Sequence, residues 1–343
     1  MKYNLFIFVA LIGIYACGEN TRNASSDSQE LTEEPMKTGV DSVVFYNELI
    51  QKSPDDAGLY FKKARYLEAR RNYNDALNTL YQVEKIDSAN ADLFAFMADL
   101  HYKLKNINES RSAAERALNI DENHMKANKR KAWIYFLLKD YENTFKSVNK
   151  ALAQNERDAE CYFLKGMAYK EQEKLKLAVS SFRTAVEQDN DYYNAWIQLG
   201  LLHSLANHEH TAYYYDNAIR IDSTKYEGHY NKAYFLQESK GEYREALKSY
   251  DAILRHNPNF YNAYFNKGYI YLEYLDVYDS AQMMFTRVVE INPSSYKAYL
   301  NRGLAYERQG DLQRAIADIN KALKMKPDYD LAAETKSRVS GKM

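Results

Sequence analysis

The chain has 343 residues, enough for two ordinary domains, yet its 12 glycines and 5 prolines are too few for a protein of many strands and tight turns. With 46% of residues apolar there is material for a sizeable core, which excludes a disordered or low-complexity chain. Lys plus Arg (46) nearly cancels Asp plus Glu (47), so no bulk positive field exists to hold nucleic acid or an acidic membrane nonspecifically.

The first sixteen residues read as an address. MKYN carries one lysine and precedes an apolar run, Leu5 to Tyr15, too short to span a bilayer as a helix. The run ends in Ile14-Tyr15-Ala16-Cys17-Gly18, which resembles the bacterial lipobox. That resemblance implies cleavage before Cys17 and lipid attachment at its thiol, giving an exported lipoprotein held at a membrane by acyl chains. Gly18, where the inner-membrane retention rule has aspartate, is expected to send it to an outer membrane. The other readings are a plain secretory signal with an incidental cysteine, or an uncleaved anchor. Residues 17–40 are polar and net acidic, a flexible tether. The two cysteines, Cys17 and Cys161, cannot build a disulfide framework or a four-ligand zinc site, and Cys161 is expected to be a buried free thiol.

From residue 57 the chain repeats at a period near 34, in eight units: 57–90, 91–124, 125–158, 159–192, 193–225, 226–260, 261–295 and 296–329. The eighth position is small throughout: Ala64, Ala98, Ala132, Gly166, Gly200, Ala233, Gly268 and Gly303. The twentieth-type position is never large (Ala76, Ser110, Thr144, Ala178, Thr211, Ala246, Ala281, Ala315). Each unit holds two segments with apolar residues three or four apart, hence two amphipathic helices, A and B, that approach closely at the small positions. Such a pair cannot bury its apolar faces alone, so units must stack. The single-residue differences in unit length, 33 in the fifth and 35 in the sixth and seventh, are expected to fall in the connections. Residues 41–56 match a second helix without its first, and 330–343 a final amphipathic helix; both are expected to cap the stack.

This pattern resembles the tetratricopeptide repeat over about four fifths of the chain. The resemblance implies an all-α, right-handed superhelical α-solenoid whose concave side is lined by helix A through its second, fifth, sixth, ninth, twelfth and thirteenth residues. Transferred to this sequence, that face includes Lys126, Arg130, Trp133, Phe136, Phe163, Met167, Gln198, Tyr230, Asn231, Tyr234, Phe265, Asn266, Tyr269 and Asn301. It is largely aromatic where it ought to be wet, and 20 of the 32 tyrosines lie between Tyr192 and Tyr329.

Asn231, Asn266 and Asn301 share the sixth position of three consecutive units and resemble the asparagine ladder in the helical repeats of O-linked N-acetylglucosamine transferase. Either they pair with the backbone of an extended peptide, or they bridge neighbouring helices and water. Lys126 and Arg130 resemble the last pair of the carboxylate clamp in chaperone-cofactor repeats. Phe61, Arg65 and Phe96 stand where that clamp has lysine and two asparagines, so a general anion-attracting patch is expected instead.

No GxSxG, HExxH, CxxC, Walker loop or GxGxxG stands in the sequence, so no enzyme activity, cofactor or metal is expected. His203, His208 and His210 could reach one metal, but His203 occupies a position held by tyrosine in other units and reads as a packing residue. The expected function is a lipid-anchored cell-envelope scaffold that binds protein or peptide segments. Carbohydrate binding by the tyrosine-rich face, or self-association within an envelope machine, are the alternatives.

Overall fold

The computed structural model describes residues 42–343; the expected signal peptide, Cys17 and the expected tether lie outside the described residues. Among the described residues there are eighteen α-helices joined by short turns and no strand. The chain divides after Tyr192 into two compact halves, at the boundary between the fourth and fifth repeats.

The N-terminal half begins with α1 (Ser42–Lys52) and continues as four helix pairs: α2 (Ala57–Ala69) with α3 (Tyr73–Ile86), α4 (Ala91–Lys103) with α5 (Ile107–Ile120), α6 (Met125–Leu137) with α7 (Tyr141–Gln154), and α8 (Ala159–Glu171) with α9 (Leu175–Gln188). The C-terminal half pairs α10 (Tyr193–Leu205) with α11 (Thr211–Ile221), α12 (Tyr226–Phe235) with α13 (Tyr243–His256), α14 (Tyr261–Glu273) with α15 (Tyr278–Ile291), and α16 (Tyr296–Arg308) with α17 (Leu312–Met325), closing on α18 (Asp330–Ser340).

Helix starts are set by short polar side chains that take up the free backbone donors of the first turn. Asn90 Oδ1 accepts from the Leu93 amide at 3.0 Å, and Asp158 Oδ1 from the Cys161 amide at 2.8 Å. Helix A ends alike in all eight repeats: one residue turns left-handed and the next amide bonds back to helix A, over five residues in six of the repeats and over six in the sixth and seventh. Asn106 N donates to His101 O at 2.9 Å and Asp311 N to Tyr306 O at 2.9 Å. The left-handed residues are Arg71, Lys105, Lys139 and Glu173 in the first half, then Asn207, Gly241, Asp276 and Gly310 in the second.

The small positions do what their spacing predicts. Every twentieth-type residue, from Ala76 to Ala315, is fully buried. Where helix A carries glycine, helix B answers with a ring. A Cβ on Gly166 would sit 2.6 Å from the Phe182 ring, and one on Gly200 2.4 Å from that of Tyr215. Gly303 instead faces Ile319 and the Ala315 carbonyl at 3.1 Å. Buried aromatic area thus replaces the missing methyl, which keeps the crossing close-packed. At the ends, Tyr46 of α1 and Ala332 and Val339 of α18 are fully buried.

One expectation fails. The extra residue of the sixth repeat does not fall in a connection: it is taken into helix A, whose last turn, Leu236–Lys240, winds as a π-helix before Gly241. An insertion widens a helical turn in this way when both neighbouring segments are held by packing, here Phe235 and Leu236, 3% and 5% exposed, and the fully buried Ala246. The fifth repeat also departs: α11 has 11 residues against 14 in the other second helices, and the connection before it, 206–210, has five residues where the first repeat has three.

Candidate functional site

Helix-A residues that the helix crossings leave uncovered form a separate surface in each half. In the N-terminal half that surface is a chain of opposite charges. Lys103 Nζ lies 2.6 Å from Glu68 and 3.0 Å from Asp99, Asp99 also holds Arg130, and Lys129 Nζ lies 3.0 Å from Asp158 and 2.6 Å from Glu160. Trp133 Nε1 donates to the same Glu160 at 2.7 Å. The Arg130 guanidinium lies 4.0 Å above the Tyr102 ring, a cation–π contact. Burial alone would raise the Asp99 carboxyl, but Arg130 and Lys103 outweigh it and hold it below the usual carboxylate range. Glu160 is held down the same way by Lys129 and Arg130 against its own burial.

This corrects two expectations. Arg130 is neutralised within the protein by Asp99, and Lys129 beside it by two carboxylates, so no anion-attracting patch is left at their heads; Lys126 stands exposed. Phe136 (2% exposed) and Phe163 (7%) are core residues that pack against Trp133, centroids 5.9 and 6.3 Å away, and offer a ligand almost no surface. Trp133 and Met167 remain half-buried at the edge of that cluster.

In the C-terminal half the surface is aromatic and amide-rich. Tyr230, Tyr234, Phe265 and Tyr269 are all half-buried, as are Gln198, Asn231, Asn266 and Asn301. The amides do not act as one ladder. Asn266 Nδ2 donates to Tyr250 Oη at 2.9 Å and to Tyr230 Oη at 3.3 Å, tying α14 to both helices of the preceding repeat. Asn301 Nδ2 donates to the Lys297 carbonyl, one turn back on its own helix, at 2.9 Å. Bridging between helices is therefore the arrangement found at Asn266, whose two N–H donors are both used, whereas Asn301 commits one of its two to its own helix.

From Asn266 the network runs inward. Tyr250 Oη, fully buried, donates to Gln237 Oε1 at 3.2 Å, and Gln237 Nε2 donates to Glu238 Oε1 at 2.9 Å. Gln237 and Glu238 lie in the π-turn, which anchors this end of the surface to the core. Beyond it, Tyr269 meets the Tyr274 ring edge-on at 5.8 Å, and Tyr274 stacks on Tyr243 at 4.3 Å. Burial, with Glu273 and Glu238, pushes the Tyr269 hydroxyl up to about 12, so it stays protonated and able to donate at neutral pH.

Gln237, Glu238, Tyr243, Tyr250, Glu273 and Tyr274 are absent from the sequence-derived site. A signal was there: the sixth repeat is long by one residue, and Tyr274 sits in a turn where its ring has no place in an ordinary core.

His203 stacks on Tyr214 with centroids 4.6 Å apart and meets His208 edge-on at 4.8 Å. No cluster of metal-ligating side chains occurs among the described residues. Cys161 is a buried free thiol, raised well above its ordinary value first by burial and then by the charge of Asp158. No helix among the described residues is long and apolar enough to cross a membrane.

The tetratricopeptide repeat family matches residues 91–124, 159–192, 261–295 and 296–329, and a further match covers 237–273. The chain is built of tetratricopeptide repeats. The matched segments coincide with repeats delimited by the small positions and the left-handed turns, apart from the match at 237–273, which straddles two. Among curated proteins, the chain is 24% identical over 149 residues to a TPR repeat-containing protein, YpiA, of Bacillus subtilis, spanning 43% of this chain and 35% of that one. It is 24% identical over 168 residues to the protein O-mannosyl-transferase TMTC1 of Homo sapiens, 48% of this chain and 18% of that one. Among solved structures, the C-terminal part of a TPR repeat-containing protein from Cytophaga hutchinsonii superposes with a TM-score of 0.61 at 17% identity, covering 70% of this chain and 98% of that one. That likeness is one of fold.

Proposed function

We propose that this protein is an interaction scaffold whose tetratricopeptide repeats capture an extended segment of a partner protein on the helix-A face of the C-terminal half. The observation that carries this reading is the row of half-buried rings, Tyr230, Tyr234, Phe265 and Tyr269, held in place by the Asn266–Tyr250–Gln237 bonds. Rings already fixed by packing lose little freedom when a ligand covers them, and tyrosine adds a polar edge for a peptide backbone. The lipobox-like Cys17 further supports an exported protein tethered at an outer membrane, with partners in the cell envelope. Peptides displayed on phage and selected on the purified full-length protein test the capture. Selected peptides should lose most of their binding to a Tyr234→Ser/Tyr269→Ser variant of unchanged helix content. Equal binding would move the site elsewhere. Cys17→Ala should release the protein from the membrane fraction; retention there would remove the lipid anchor.

A further inference from the structure

On the helix-A faces several carboxylates in buried surroundings have a cation against them. Asp99 and Glu160 are paired in the N-terminal half, and in the C-terminal half Glu307 is held by Arg338 at 2.7 Å and Lys342 at 2.8 Å. Glu238 and Glu273 differ. They stand at the thirteenth position of the sixth and seventh repeats, both exposed, and neither has an ion pair among the described residues. Glu238 accepts from the neutral Gln237 amide. The nearest lysine along the chain, Lys240, lies over the Phe235 ring at 5.5 Å instead.

Around these two carboxylates stand Tyr234, Tyr269 and Tyr274, the last fixed by its stack on Tyr243. Tyr234 precedes Glu238, and Tyr269 precedes Glu273, by four residues on helix A, and the Glu238 charge raises the hydroxyls of Tyr234, Tyr269 and Tyr274, behind burial as the larger cause. Aromatic faces carry a negative quadrupole and carboxylates a full negative charge, so the two attract the same kind of group. The π-turn brings Glu238 to this place: it adds one residue to helix A and carries Gln237 inward, where Tyr250 holds it.

We propose that Tyr234, Tyr269 and Tyr274 with Glu238 and Glu273 form a receptacle for a cationic side chain, arginine or lysine, of the partner segment. The proposal rests on the capture reading above and gives the captured segment its chemistry. A guanidinium fits both parts of the site, lying flat on a ring while its edge meets a carboxylate. An acidic segment is repelled by the same pair.

The test uses full-length protein and a labelled, acetylated hexapeptide of alternating alanine and arginine, beside the same peptide with citrulline, which keeps the shape and removes the charge. Fluorescence anisotropy at low salt should show the arginine peptide binding about tenfold tighter than the citrulline peptide, and Glu238→Gln/Glu273→Gln should abolish that difference. Tyr269→Leu should weaken the arginine peptide by about threefold and leave the citrulline peptide less affected. Both glutamates are exposed and glutamine is nearly isosteric, so the double variant should melt as wild type does. Equal binding of the two peptides, or an arginine preference that survives the double variant, overturns the receptacle. If phage-selected peptides bind the tyrosine face but carry no enriched arginine or lysine, the receptacle fails while capture stands. If no peptide of any sequence is captured there, both fail.

Discussion

The two halves are built from the same repeat, with the same small residues at the same crossings, and yet their helix-A faces carry opposite solutions for charge. In the N-terminal half, Glu68, Lys103, Asp99, Arg130, Lys129 and Glu160 neutralise one another across four repeats. In the C-terminal half, Glu238 and Glu273 have no ion pair among the described residues; in the sixth and seventh repeats rings occupy the places of Lys129 and Asp99, and asparagine that of Arg130. A surface whose charges are already satisfied has little left to offer a ligand, because any new contact must first displace an internal one. The difference teaches that a repeat fixes where side chains point and leaves open what they do there.

The largest expected effect attacks the paired half. Asp99→Asn leaves the Arg130 guanidinium, largely buried over Tyr102, without its counter-charge, and should destabilise the protein by about 3 kcal/mol in denaturant unfolding. Glu238→Gln with Glu273→Gln should move stability by less than about 0.5 kcal/mol. Equal effects would erase the distinction between the halves. The same pairing has a pH signature. Asp99 and Glu160 titrate below their unfolded range, so what they add to stability is present above about pH 4 and is lost as the pH falls below it. Asp99→Asn should flatten that acid limb, and an unchanged limb would deny the carboxylate its role.

Next comes the backbone. The left-handed turns of the first half use Arg71, Lys105, Lys139 and Glu173, whereas those of the second use Asn207, Gly241, Asp276 and Gly310, the residue types that tolerate this conformation best. Lys139→Gly should therefore stabilise by about 0.5 kcal/mol, and Gly310→Lys should cost about 1 kcal/mol, both read from melting curves. A Cβ on Gly310 meets nothing within 4 Å, so that loss would be purely conformational. The smallest contrast lies within the second half. Asn266→Ala removes the donor to the fully buried Tyr250 hydroxyl and should cost about 1 kcal/mol, while Asn301→Ala breaks only a bond to its own helix and should cost less than about 0.5 kcal/mol. The reverse order would restore a ladder in which the three amides are equivalent.

The repeat architecture was legible because it is periodic. Ala64 and its seven equivalents, and Ala76 and its seven, announce helix crossings by recurrence alone. The four prolines just past a second helix, Pro54, Pro258, Pro293 and Pro327, announce where units end. The charge of the first half was half legible: Lys126 and Arg130 read as a basic patch in their own repeat, but the counter-charge of Arg130 comes from the preceding repeat, Asp99 lying 31 residues before it. Comparing one repeat with the next, rather than reading each alone, would have found it. The π-turn was not legible, because length reports that a residue has been added and not whether helix or loop accepts it. Asn266 was singled out for its position, and its use followed from a tyrosine on another helix, 16 residues earlier, that no local pattern connects to it.

The most direct measurement of the central claim is amide hydrogen exchange on the full-length protein with and without a captured peptide. The account predicts slowed exchange in α12, the π-turn and α14, with α4, α6 and α8 unchanged. Protection confined to the N-terminal half, or none in either half under saturating peptide, would contradict it.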